Sequence, residues 1–208
     1  MIRRQTTTIS LADVSPMLAE RRTALPRTGV WSFEPKMEGY RMLATRDALR
    51  TRGGADATRW FPELVRALSA LPAGHHIIDG EVCVLDSIGR SDFNRLHERA
   101  LRRGWYAGAD PVVLCAFDLL VHAGVDIRSL PIEARKERLR DLVAGVPGVL
   151  LVTGTDDGTW LWGHVEALKL EGIVAKRAGS VYVAGPSRDW LKVKRAGATP
   201  AGKFHRPE

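Results

Sequence analysis

The 208 residues are 45% hydrophobic and 26% charged, too apolar for a disordered chain and enough for one large domain or two small ones. Lys and Arg number 31 against 24 Asp and Glu, and the resulting charge of +7 points to a polyanionic partner. No apolar run approaches the roughly 18 residues of a membrane helix. Residues 1–8 lack the apolar core of a secretory signal, so a cytoplasmic protein with no membrane partner is expected. Cys83 and Cys115 lie in β-branched runs, where a thiol acts as a small hydrophobe, which excludes a disulfide scaffold or a zinc ribbon. The pair His75-His76 has no further ligand at metal-site spacing and is read as structural.

In chain order, residues 32–34 and 40–46 read as strands flanking a turn at Gly39, and 49–51 as a further strand of an antiparallel meander. Phe61, Leu64, Val65, Leu68 and Leu71 recur at helical spacing, which predicts a helix over 60–71 with Pro62 in its first turn. A strand over 77–85 precedes a helix from Ser91, the expected N-cap, to Arg102. Residues 112–120 read as a buried strand, 131–143 as a helix, 150–153 as a short strand and 160–170 as a helix. Strands are expected over 172–177, 180–183 and 190–194, followed by a small, polar, Pro/Gly-rich tail over 196–208.

Several residues could carry chemistry. Lys36 falls in the predicted turn between two strands, between Pro35 and Gly39; alone, such a lysine is an ordinary solvated charge. Strand alternation puts Asp79 and Glu81 on one face, although Asp79-Gly80 also reads as a hairpin turn. Phe117 near the end of a buried strand is by itself core, and Glu171-Gly172 is either a helix C-cap or a carboxylate suited to a hard metal ion. Lys192 and Lys194 project from one face about 7 Å apart, which suits an anion between them or a lysine-protected sheet edge. One nucleophile candidate, carboxylates from separate strands, a ring and paired lysines together suit phosphoryl or nucleotidyl transfer.

In their order and separations, Lys36-Met-Glu-Gly-Tyr-Arg41, Asp79-Gly-Glu81, Phe117-Asp118-Leu-Leu, Glu171-Gly-Ile-Val-Ala-Lys176 and Trp190-Leu-Lys-Val-Lys194 resemble the nucleotidyltransferase motifs of ATP-dependent DNA ligases of the bacterial type. The resemblance runs from Ser15-Pro-Met-Leu-Ala19 to Arg195 and includes Thr51-Arg-Gly-Gly54, Phe61-Pro-Glu-Leu64 and the segment from Tyr182 to Trp190. It implies an α+β fold, an antiparallel-sheet nucleotidyltransferase domain (ATP-grasp-like) with flanking helices over residues 1–195.

The resemblance further implies that Lys36 attacks the α-phosphate of ATP and becomes a lysyl-AMP, a covalent intermediate that divides one hard step into two. Glu34 would recognise the adenine amino group, Phe117 would stack on the base, and Glu81 would contact the ribose or a metal-bound water. Arg41 and Arg52 would hold the nucleotide and the 5′-phosphate of a nick, a task suited to a guanidinium. Glu171, with Glu81, would serve Mg2+ or Mn2+; Lys176, Lys192 and Lys194 would bind the nucleotide, the last two at the α-phosphate. The implied partner is nicked double-stranded DNA, with other repair proteins, and a monomer is expected.

Two departures stand out. Glu38 occupies a position usually held by aspartate, which is expected to alter how Lys36 is activated. The family normally continues into an oligonucleotide-binding barrel of roughly 100 residues, and that OB-fold domain is expected to be absent here. The alternatives are a homologue limited to DNA binding or to sealing pre-adenylated nicks, and an RNA ligase-type nucleotidyltransferase.

Overall fold

Aromatic and β-branched residues at the strand positions close two sheets, described here over residues 9–198 of a computed structural model. The first sheet has the order β1-β10-β9-β2, from β1 (Met17–Arg22), β2 (Trp31–Pro35), β9 (Gly172–Arg177) and β10 (Gly185–Lys194). The second has the order β4-β3-β5-β6-β7, from β3 (Tyr40–Ala44), β4 (Leu49–Thr51), β5 (Ile77–Cys83), β6 (Val113–His122) and β7 (Val125–Asp126), with β8 (Val149–Leu151) beside β6. Pairing is antiparallel except for β1 with β10 and β6 with β8. Among the described residues four α-helices complete the fold: α1 (Pro62–Leu68), α2 (Phe93–Leu101), α3 (Ile132–Val143) and α4 (Gly158–Ala167). The expected α+β class, largely antiparallel sheets with flanking helices, is therefore present, and among the described residues no helix is long and apolar enough to cross a membrane.

Three apolar layers hold it together. Helices α1, α2 and α3 cover one face of the second sheet through Phe61, Leu64, Leu68, Leu96, Leu139 and Leu142. Met17 and Trp190 of the first sheet pack with Leu43, Ile77, Leu120 and Val121 of the second. Leu161 and Val165 of α4 cover the far side of the first sheet against Trp31, Phe33, Ile173 and Leu191. Each such side chain contributes about 1.5–3 kcal/mol on burial.

Several expectations need correction. β2 and β3 do not form a hairpin: they belong to different sheets, and residues 36–39 cross between them. Lys36 N donates to Gly172 O at 2.9 Å, so the end of β2 follows β9, a partner remote in sequence. β10 lies between β1 and β9, so its lysines do not guard a sheet edge. Asp79-Gly80 is mid-strand rather than a turn, and a Cβ on Gly80 would meet Leu114 Cδ1 at 2.7 Å.

Residues 180–183 are not a strand, because the neighbouring backbone is satisfied elsewhere: Tyr182 N donates to Arg128 O, and Ser180 O accepts from Arg135. Asp92, not Ser91, caps α2 by accepting from Arg95 N; Ser91 Oγ accepts from Glu38 N instead. Helix α4 starts two residues early on the Asp157 cap and stops before Lys169, whose φ of 55° ends it. β1 was not expected, since its six residues pair with a strand far along the chain. Of the expected tail, residues 196–198 are described; 199–208, like 1–8, lie outside the described residues.

Candidate active site

The crossover from β2 to β3 places Lys36 over the ends of β9 and β10. Its Nζ lies 2.5 Å from Glu171 Oε2, and Lys194 Nζ lies 2.6 Å from Glu171 Oε1. One buried carboxylate thus separates two ammoniums. Gly39 lets the crossover lie against β5, since a Cβ there would sit 2.1 Å from Val82 O. Gly172 does the same between β9 and β10, where a Cβ would sit 2.1 Å from Val193 O.

Phe117 reaches the same place through a β-bulge. β5 pairs Asp79 with Asp118 and Gly80 with Ala116, leaving Phe117 without a partner across the strand pair. An extra residue of this kind re-aims a side chain. The Phe117 ring meets Trp190 edge to face, with centroids 6.0 Å apart. Lys176 Nζ lies 4.7 Å from the Phe117 ring and 4.3 Å from Trp190, donates to Phe117 O and pairs with Glu34 Oε2 at 2.7 Å. Burial pulls the Lys176 ammonium down to about 8, against the opposing pull of Glu34.

Arg41 is held by a two-pronged hydrogen bond to buried Asp79, at 2.9 and 2.6 Å, beneath Phe117 and Trp190. Tyr182 donates to Asp79 Oδ2 and accepts from Met17 N, which ties this pair to β1. Arg52 is exposed in the turn after β4, with its N–H on Arg41 O.

These side chains surround one cavity of about 630 Å3, of the size that takes a small molecule or cofactor. Glu34, Lys36, Arg41, Arg52, Glu81, Phe117, Glu171, Lys176, Lys192 and Lys194 all line it, although they come from six separated stretches of the chain. Tyr40, Trp60, Phe93 and Val152 also line it and were missed, because in the sequence they are indistinguishable from core residues. Lys136, behind Glu34, was missed as an ordinary charge on a helix.

The electrostatics are strained in both directions. Burial, with repulsion from Glu171 and Asp79, pushes the Glu81 carboxyl up to about 7 in spite of Lys36 and Arg41. Glu38 is raised by burial and by Glu171. Lys192 is lowered by burial and by Lys36, Lys194 and Arg52. Buried Trp190 Nε1 has no hydrogen-bond partner among the described residues, and buried Glu34 Oε1 and Glu171 Oε1 meet only the ammoniums of Lys136 and Lys194. Among those residues no group of three or more His, Cys, Asp or Glu could cage a metal ion. Glu81 and Glu171 repel each other, however, and fit a hydrated Mg2+ held through one or two carboxylates and a phosphate. Cys83 and Cys115 are both buried and unbridged, as expected.

The family model described as the ATP dependent DNA ligase domain matches residues 16–194. The chain belongs to that family. Similar proteins include the multifunctional non-homologous end joining protein LigD of Pseudomonas aeruginosa, 36% identical over 87% of this chain and 22% of that protein. DNA ligase C1 of Mycolicibacterium smegmatis is 34% identical over 87% of this chain and 56% of its own length. The chain therefore spans about a fifth of one relative and about half of the other. Among solved structures, the ligase domain of M. tuberculosis LigD superposes with a TM-score of 0.76 at 28% identity, over 89% of this chain and 62% of that one. A mycobacterial DNA ligase D complexed with ATP gives the same TM-score at 29% identity and the same coverage. The fold is that of the ATP-dependent DNA ligase domain.

Proposed function

We propose that the cavity is an ATP site in which Lys36 is adenylated, and that the AMP then passes to the 5′-phosphate of a DNA nick. The observation that carries this reading is the convergence of the motif residues on one cavity, with Lys36 against Glu171. The Lys36 ammonium first gives one proton to Glu171 or to water; the freed amine then bonds to the α-phosphorus as the bond to pyrophosphate breaks, and the nitrogen releases its second proton to water. Lys192 and Lys194, on one face of β10, offset the charge on the transferring phosphate; a depressed ammonium such as Lys192 gains most when an anion arrives. Glu171 and Glu81 are the residues that would hold Mg2+ or Mn2+, and the ion would neutralise further phosphate charge.

Arg52, exposed beside the cavity, is suited to the 5′-phosphate of the nick, and the net charge of +7 suits a DNA backbone. Arg41 lines the cavity, where the resemblance gives it a nucleotide contact, and it has a structural task as well. With its fork committed to Asp79, it braces the Phe117 and Trp190 rings. The names of the LigD relatives, which give non-homologous end joining and DNA repair, support DNA repair as the setting, with other repair proteins as partners.

The test uses two substrates with the same protein. Labelled ATP with Mg2+ should label the wild type and not Lys36→Ala, and nicked DNA carrying a pre-formed 5′-adenylate should be sealed. Folded protein that does neither defeats the proposal.

A further inference from the structure

Lys136 takes no part in the steps above, yet it holds two residues of the cavity wall from behind. It projects from α3, which packs on β6 and β8 of the second sheet. Its ammonium lies 2.8 Å from Oε1 of Glu34 on β2, in the first sheet, and donates to the carbonyl of Val152. Val152 follows β8 and is itself fixed by its N–H on Ala116 O at 2.8 Å. One nitrogen therefore ties two acceptors from two sheets together, and both residues line the cavity.

Glu34 is only 3% exposed, and its Oε1, paired with the Lys136 ammonium at 2.8 Å, keeps a second lone pair with no other donor among the described residues. A buried carboxylate oxygen in this condition is an acceptor awaiting a partner. Glu34 precedes Lys36 by two residues, and both side chains line the same cavity. Phe117 and Trp190 supply ring walls beside it.

We propose that Lys136 is a positioning residue for base selection: it pins the Glu34 carboxylate and the Val152 carbonyl as a rigid acceptor pair that takes the exocyclic amine of adenine and rejects the carbonyl of guanine. The inference rests on the reading of this cavity as a nucleotide site. Guanine in the same pose turns its O6 acceptor toward two acceptors that cannot swing away, and a desolvated, unpaired polar contact is a strong basis for rejection. Without Lys136, Glu34 keeps only Lys176 as an ion-pair partner and is free to rotate toward it, and the selecting edge is lost.

The experiment compares wild type, Lys136→Met and Lys136→Arg by equilibrium binding of ATP and GTP, with AMP uptake followed by mass. The Met variant is expected to lose at least about tenfold of the preference for ATP over GTP, through weaker ATP binding, and Arg should restore part of it. A merely structural lysine would lower the melting temperature and leave that ratio alone. Should Met fail to fold, Lys136→Leu, which also removes the donor, is read in the same way. An unchanged ratio in a folded variant overturns the inference and leaves the Lys36 chemistry standing. Wild type that binds neither nucleotide and takes up no AMP overturns the underlying reading and the inference with it.

Discussion

Glu171 holds Lys36 at 2.5 Å on one carboxylate oxygen while the other oxygen pairs with Lys194. The single anion keeps two cations close that would otherwise repel, and it lies within reach of the proton that Lys36 must lose. Glu171→Gln keeps the shape and removes the charge. Single-turnover AMP uptake is expected to slow by about 10²-fold or more; a rate within about twofold of wild type would contradict this role.

Glu81 makes stability depend on pH. Its carboxyl is raised by burial to about 7 in the folded chain, from an ordinary value of 4.5. Between those values the unfolded chain has released the proton and the folded chain still holds it. Stability therefore falls as pH rises through that window, and the loss is complete above it. Glu81→Gln should flatten that part of the profile, read as a smaller drop in melting temperature between about pH 5 and about pH 8. An identical profile in the variant would rule Glu81 out as its source.

Asp118 and Arg135 form a fully buried, two-pronged ion pair at 2.8 and 2.9 Å. Asp118→Ala strands a guanidinium in the core, and a loss of about 3–5 kcal/mol is expected, seen as a lower urea midpoint. The double variant Asp118→Leu with Arg135→Met should recover only part, because Arg135 also donates to Leu130 O and Ser180 O. Full recovery would show that those carbonyls find other partners.

Two glycines separate site geometry from stability. Gly39→Ala forces a methyl against Val82 O and should cost about 1–3 kcal/mol, while displacing the crossover that carries Lys36 and lowering AMP uptake. Gly163→Ala, in α4 with nothing within 4 Å of a new Cβ, should stabilise by about 0.5–1 kcal/mol and leave uptake unchanged. Thermal melts and adduct yields of the two variants check both expectations.

The sequence was most informative where local pattern decides the outcome. Strand alternation put Lys192 and Lys194 on one face of β10, and helical spacing found the buried side of α1. It was least informative about pairing across distance. Nothing near Lys36 states that β2 follows β9 while β3 joins a different sheet, so a crossover looked like a hairpin. The Phe117 bulge depends on register between β5 and β6, which no single strand encodes. Lys136 and Arg135 escaped for a related reason: a charge on a predicted helix reads as solvated until the partner that buries it is known. The motif residues were identified through their resemblance to the ligase family, and their convergence on one cavity is a property of the fold.

The most direct measurement is the intact mass of the purified chain after exposure to ATP and Mg2+, followed by peptide mapping. A gain of one AMP, located on Lys36 and absent from Lys36→Ala, is the predicted result. Folded protein that binds ATP yet carries no adduct, or an adduct on any other residue, would contradict the assignment of Lys36 as the nucleophile.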